Sequence, residues 1–532
     1  MKNIINKLSL GLMVCAATAC TGSYQEINSN PYQPNDLSAD DYLLGSAIAN
    51  LTGTVISADV NTAQFTDCLL GGPLGGYFAP SKDGWNNITI ANYNPTNDWT
   101  NVFMHSDHIM PTLFTNLGIV ARHSETTGNP VPLAIAKIIK VAAMHRVTDA
   151  YGAIPYSEIG SSGEISAPYN SQQEVYNQFF TELDEAVKAL ENAQYTLSAD
   201  LIYGGNPHQW ARFANSLKLR LAMRIVYADR EKARQMAEEA IKSKAGLITS
   251  NADNAQWDYF KSSENPIYTA TRYNSPAQST TGGDTHAAAD IICYMNGYKD
   301  ARREKYFNKS QWEGIEYIGL RRGIEVPSLN AAGYKYSGVG VKPNDPIMWM
   351  NAAEIAFLRA EATAVFGFDM GGTAEEFYNQ GIRLSFEQWG AEGAEAYLAD
   401  ESSVPDTYKD PVGTNNYLTA LSSLTIKWKE DASVEEKQER IIIQKWIANW
   451  MLGNEAWADY RRTGYPHLIP ASEAGNKSGG IVDSSKGPGR IPYPQEEYTK
   501  EGGKYVIEAV SKHLNGPDNM ATKVWWDAKP NK

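Results

Sequence analysis

Cysteine is scarce in this 532-residue chain, and the four present cannot supply a disulfide framework. Cys15 and Cys20 fall in the N-terminal leader region, which leaves Cys68 and Cys293 in the body. A chain of this length folds without such bridges, and spacing alone does not say whether these two pair. Basic residues are in deficit, 47 against 61 acidic, for a net charge of −14. That excludes nucleic acid as the main partner, because such binding needs lysine and arginine to displace phosphate counterions. Beyond the N-terminus no apolar run approaches the roughly 18 residues of a membrane-spanning helix. A G-x-S-x-G elbow, a phosphate-binding P-loop and an H-E-x-x-H zinc motif are all missing from the sequence. Phenylalanine is also thin, 14 residues against 30 Tyr and 13 Trp, so the aromatic content favours rings with a polar handle.

What is present begins with a leader. Lys2 and Lys7 precede the short apolar run Leu8 to Ala17, and Ala17-Thr18-Ala19-Cys20 follows. Residues 1–19 read as a signal peptide. Cys20 then becomes an acylated N-terminal cysteine, although Ala17 stands where leucine is usual, and an ordinary secretory cleavage near a cysteine is the alternative. Acyl chains contribute about 0.8 kcal/mol per buried CH₂, enough together to hold a folded body on a membrane. Residues 20–38, with Asn28, Asn30, Pro31, Pro34 and Asn35, read as a tether, and 39–532 as one helical domain.

Amphipathic segments recur through that domain, most with a start signal. Pro132 opens a helix with Ile135, Ile138, Ile139 and Ala142 on one face. Ser171 with Glu174, Thr373 with Glu376 and Ser433 with Glu436 form capping boxes. Asn206-Pro207 and Asp345-Pro346 read as cap plus first-turn proline. The predicted pairs are 132–150 with 171–193, 207–228 with 230–245, and 346–366 with 373–390; 433–452 is followed by a short helix from Asn454. Small residues at packing positions, including Ala353-x₃-Phe357, resemble tetratricopeptide helix pairs. The expected fold is mainly α, a tetratricopeptide-like scaffold of helix pairs bearing a large, irregular loop face. The loop insertions are 62–97, 247–344, 391–432 and 465–505, longer than compact domains carry without a function for them.

Catalysis finds little support. His105 and His108, three apart on an expected helix, could face one metal, but no Glu, Cys or third His is near. Asp149, Glu158 and Glu354 are candidate halves of a glycosidase pair, though such residues are more often caps or ion-pair partners. No catalytic residue, metal or cofactor is expected, and a structural calcium has no motif behind it. Binding is better supported. Tyr77, Trp85 and Asn86 lie among glycines in 62–97, and Arg272, Tyr273 and Trp312 recur in 247–344. A sugar presents C–H groups on one face and hydroxyls at its edge, so its site needs open aromatic planes beside Asn, Asp or Arg. The ordinary alternative for each ring is anchorage of its own loop.

Several stretches together resemble the SusD/RagB outer-membrane lipoproteins, on the SusD-like branch. They include Tyr24-Gln25-Glu26-Ile27-Asn28-Ser29-Asn30-Pro31, Arg146-Val147-Thr148-Asp149-Ala150-Tyr151-Gly152, and the run from Trp210 to Arg220. Trp349-Met350-Asn351-Ala352-Ala353-Glu354, Asn454-Glu455-Ala456-Trp457-Ala458-Asp459-Tyr460-Arg461-Arg462 and Val524-Trp525-Trp526-Asp527 follow. The resemblance implies a surface protein anchored in the outer membrane. It would capture oligosaccharide with loop aromatics and pass it to a SusC-like, TonB-dependent barrel, without being an enzyme. Trp85, Asn86, Tyr77, Tyr273, Arg272 and Trp312 are the expected contacts, and Trp349, Trp457 and Arg461 are expected in packing and ion pairing. Peptide capture on the same architecture is the first alternative; a surface glycosidase or a helical adaptor without a small ligand are the others.

Overall fold

The computed structural model describes residues 39–86, 88–104, 109–159, 167–258, 264–328, 332–499 and 501–530. It divides into Met1–Leu44 and Gly45–Lys532, and the architecture below is that of the second unit. Cys20, His105 and His108 lie outside the described residues.

Many of the helices begin where a side chain caps them. Ser171 accepts from the Glu174 N–H while the Glu174 carboxylate accepts from the Ser171 N–H, and Thr373/Glu376 and Ser433/Glu436 repeat the arrangement. Asn206 caps a helix with Pro207 at its first position. The principal helices are α1 (Met110–Thr127), α2 (Val131–Tyr151), α3 (Gln172–Leu190), α4 (Pro207–Arg224) and α5 (Arg230–Lys242). A short α6 (Pro266–Ala270) precedes α7 (Ala352–Phe366), α8 (Ala374–Gln388), α9 (Val434–Ala448) and α10 (Gly453–Thr463). Each packs on its sequence neighbour from α1 to α5; α4 also meets α7, which carries α8 and α9. The scaffold is therefore a stack of helix pairs. At one crossing a Cβ on Gly381 would stand 2.7 Å from the buried Phe357 ring, so glycine sets how closely α8 approaches α7.

Two expectations fail locally. Asp345-Pro346 does not start a helix: Ile347–Met350 is a strand, and α7 is capped by Asn351, whose side chain accepts from the Glu354 N–H. The first part of the expected 62–97 loop is helical and mostly buried, a π-helix Gln64–Gly71 running into Gly72–Leu74. Its glycines serve contact and not mobility. Cβ atoms on Gly71 and Gly75 would lie 2.4 Å from the Asn454 amide and 2.6 Å from the Gly453 carbonyl, at the start of α10.

Among the described residues, eight short strands form four antiparallel pairs: β1 (Phe78–Pro80) with β5 (Thr285–Ala287), β2 (Ile154–Pro155) with β3 (Tyr169–Asn170), β4 (Ala255–Trp257) with β8 (Ile347–Met350), and β6 (Phe307–Asn308) with β7 (Gly338–Val339). They tie the long insertions to the helices.

Where the helices meet, the core is ionic. Arg220 grips Glu354 with two bonds of 2.7 and 2.6 Å. Arg146 meets Asp67 at 2.6 Å, Lys445 meets Asp459 at 2.7 Å, and Arg462 clasps Glu361 at 2.7 and 2.8 Å. Arg224 bridges Asp149 and Glu455. All of these side chains are buried, so each charge depends on its partner. Burial pushes the Glu455 and Asp459 carboxyls up, but the surrounding cations outweigh it and hold both below the usual carboxylate range. Cys68 and Cys293 are free and buried.

Candidate functional site

The loop residues singled out in the sequence come to rest in different places. Tyr77 is not on the surface: it is 0 % exposed, stacked on Trp446 at 5.5 Å, with its hydroxyl donated to the Trp446 carbonyl. It is a core ring, drawn inward because its hydroxyl finds a buried acceptor. Asn86 is a clasp. Its Nδ2 donates to the Val326 carbonyl at 3.2 Å and its Oδ1 accepts from the Val326 N–H at 2.7 Å, which commits both ends of the amide to a neighbouring loop.

Trp85, Arg272, Tyr273 and Trp312 stay partly or fully exposed. Trp85 sits in a 3₁₀ turn, Asp83–Trp85, its indole edge-on to Trp99 at 5.7 Å and the Lys82 ammonium 4.9 Å from its centre. Trp312 packs against Tyr336 at 5.9 Å, with the Lys335 ammonium at 4.8 Å. The Arg272 guanidinium lies 4.0 Å from the Tyr268 ring and donates to the Tyr268 carbonyl at 3.3 Å. Tyr273, 37 % exposed, is the most open of the six.

Strand pairing draws these loops together. Beyond the Pro80↔Thr285 register, the Ser81 N–H donates to the Asp284 carbonyl at 2.8 Å, and the Asp284 N–H to that of Tyr273 at 2.8 Å. Gly283 makes the second contact possible, since a Cβ there would fall 1.9 Å from the Tyr273 carbonyl oxygen. His286 pins the base. Its Nδ1 lies 2.8 Å from the Ser81 hydroxyl and its Nε2 3.0 Å from that of Thr281. Burial pushes its imidazole down to about 4, against the pull of the Gly283 and Tyr334 carbonyls. The Trp312 loop joins through Gln311, which accepts from the Thr280 N–H at 2.8 Å and donates to the Gln278 carbonyl at 3.0 Å. Val326, held by Asn86, packs with Trp312 against the buried Ala79, Leu320, Ile324 and Tyr336.

The result is a fixed face that presents indole and phenol surface beside Lys82, Arg272, Asn274 and Asp284. Asn274 donates to Asp284 at 2.7 Å, and burial raises the Asp284 carboxyl against that bond and the Lys82 charge. Such a surface can stack the C–H face of a sugar and hydrogen-bond its hydroxyls. Lys82 and Lys335 escaped the sequence reading. Lys82 is three residues before Trp85, but nothing local ties Lys335 to Trp312.

The candidate glycosidase carboxylates are placed otherwise. Asp149 and Glu354 are buried and bound, Asp149 by Arg224, Tyr176 and the Trp526 N–H, Glu354 by Arg220. Glu158 is exposed. Among the described residues no group of three or more His, Cys, Asp or Glu could hold a metal ion, and no helix is long and apolar enough to cross a membrane. Trp349 and Trp457 are buried scaffold. Arg461 stacks on Trp457 at 3.4 Å and donates to the carbonyls of Asp149 and Gly489, so it packs there as expected but does so through backbone oxygens.

A family profile described as "SusD-like: Susd and RagB outer membrane lipoprotein" matches residues 26–527. A SusD homologue from Bacteroides uniformis is 63% identical, with a TM-score of 0.89 over 92% of this chain and 100% of that one. One from Bacteroides thetaiotaomicron is 39% identical, TM-score 0.83, covering 92% and 99%. A SusD homologue from Flavobacterium johnsoniae, described as chitin-binding, is 35% identical, TM-score 0.82, covering 91% and 98%. Comparison with curated proteins returns no match.

Proposed function

The chain belongs to the SusD-like family of outer-membrane lipoproteins, and from that membership we propose that it captures oligosaccharide at the cell surface and delivers it to a SusC-like, TonB-dependent barrel. Cys20 is the proposed lipid anchor. The observation that carries the glycan reading is the loop face, where Tyr273 is exposed and Trp85 and Trp312 are half-exposed on a base fixed by β1, β5 and His286. The chitin-binding relative supports a carbohydrate ligand and suggests N-acetylglucosamine oligomers as the first probe. We infer that the protein acts by binding, since Asp149 and Glu354, two of the candidate glycosidase carboxylates, are buried and committed to arginines.

The test is calorimetric titration of the purified protein with N-acetylglucosamine oligomers and a panel of neutral and acidic polysaccharides, with the recovered glycan sized afterwards. Binding with the glycan unchanged is the expected result. No binding to any glycan, with binding to peptides, would overturn the reading in favour of peptide capture. Co-purification with a TonB-dependent barrel from the native membrane tests delivery.

A further inference from the structure

Behind α6 lies a second concavity, of about 460 Å³, within the size range of small-molecule sites. It opens between β4, β6 and β8, the end of α8 and the α9–α10 junction. Ile267 of α6 lines it, while Tyr268 of the same helix carries Arg272 on the loop face. One wall is aromatic and rigid, with Trp389 half-exposed in front of a buried stack in which Phe307, Trp450 and Tyr306 show 4, 3 and 0 % of their surface. Trp389 stands edge-on to Tyr306 at 4.7 Å, Tyr306 stacks on Trp450 at 5.3 Å with the rings 6° apart, and Phe307 closes on Trp450 at 5.1 Å.

The same lining holds amides with bonding capacity to spare. Among the described residues the Gln256 side chain has no hydrogen-bond partner. Gln388 uses only its oxygen, at 3.5 Å from Asn254, and Asn308 uses only its nitrogen, on the Thr281 and Val339 carbonyls at 3.4 and 3.3 Å, which leaves its oxygen free. The charged lining balances, Glu304 and Asp345 against Lys305 and Lys342. Met451, also in the lining, has φ of 80°, a left-handed conformation uncommon for a side chain of its size and of the kind that gathers at ligand sites.

A half-exposed indole held on a rigid ring stack, unspent amide donors and acceptors, and no net charge describe a receptor for a neutral, flat-faced, hydroxyl-rich molecule. We propose that this cleft is a second carbohydrate site, enclosed where the loop face is open, which takes a short neutral oligosaccharide segment. The proposal rests on the carbohydrate reading of the protein as a whole, but on none of the loop-face residues.

The experiment is titration with N,N′-diacetylchitobiose, cellobiose and maltose of the wild type, of a W85A/W312A variant that strips the loop face, and of Gln256→Ala/Gln388→Ala in the cleft, each checked for an unchanged urea midpoint. The stripped variant is expected to retain one disaccharide site. The cleft changes made on that background should weaken it about tenfold, the effect of two ordinary hydrogen bonds. A stripped variant that binds nothing, beside a wild type that binds, would overturn the cleft proposal and leave the main reading intact. A wild type that binds no carbohydrate of any size would overturn both.

Discussion

Glu354 is the residue whose replacement separates a scaffold from a catalytic centre. Its carboxylate is 0 % exposed and receives two bonds from Arg220, with the Lys445 ammonium at 4.0 Å. Burial alone would lower the Arg220 pKa, but the carboxylates of Glu354 and Glu455 more than offset it and raise it. Glu354→Gln keeps the shape and removes the charge, which leaves Arg220 with only Glu455 to answer it, a carboxylate that Arg224, itself paired with Asp149, already shares. Breaking a buried pair from one side costs about 3–5 kcal/mol. Because Glu455 remains at 3.7 Å from Arg220, the lower end, about 3 kcal/mol, is expected. With a urea slope of about 3 kcal/mol/M, at the top of the range for small proteins, that is a midpoint about 1 M lower. Replacing both partners, as Arg220→Met/Glu354→Gln, should recover much of the loss, since no unpaired charge is then left. Equilibrium urea unfolding by circular dichroism measures all three. A Glu354→Gln protein with an unchanged midpoint, or a double variant as weak as the summed singles, would refute the ionic-core argument.

Two further outcomes follow from the packing and the protonation states. His286 moves from 6.5 to about 4 on folding, so the unfolded chain takes up a proton that the native ring refuses. Stability is full above about pH 6.5 and falls toward pH 4 by about 3 kcal/mol, and His286→Gln should abolish that window. Glu455 and Asp459, held below 4.5 and 3.8, add a second loss that begins only beneath those values; urea midpoints across pH 7 to 3 that stay level would contradict both assignments. Gly381→Ala should lower the midpoint, because overpacking against Phe357 costs about 1–3 kcal/mol against a helix-propensity gain of about 1 kcal/mol. A raised midpoint would mean that α7 and α8 separate freely.

The helix scaffold was legible because capping chemistry is local. Ser171, Thr373 and Ser433 each need only a glutamate three residues on, and all three start helices at the expected residue. Asp345-Pro346 carried the same kind of signal and misled, because pairing of Ile347–Met350 with β4 is a contact made 90 residues away. Tyr77 misled for a related reason. Glycines around it read as loop, yet Gly71 and Gly75, four apart on a helical surface, are small so that α10 can approach. That spacing was the available sign. The gathering of the Trp85 and Tyr273 segments depends on the β1–β5 register and on Gly283, neither of which leaves a mark in the local sequence. The cleft is further out of reach, assembled from segments spread between Ile56 and Met451.

The loop face is the claim on which the assignment stands, and the affinity of a long N-acetylglucosamine oligomer for wild type, Trp85→Ala and Trp312→Ala tests it most directly. Each open ring offers stacking worth about 0.5–1.5 kcal/mol beyond its buried area, so each change should weaken binding by roughly tenfold, with the urea midpoint unmoved. Wild-type binding that survives both replacements at full strength would contradict the account.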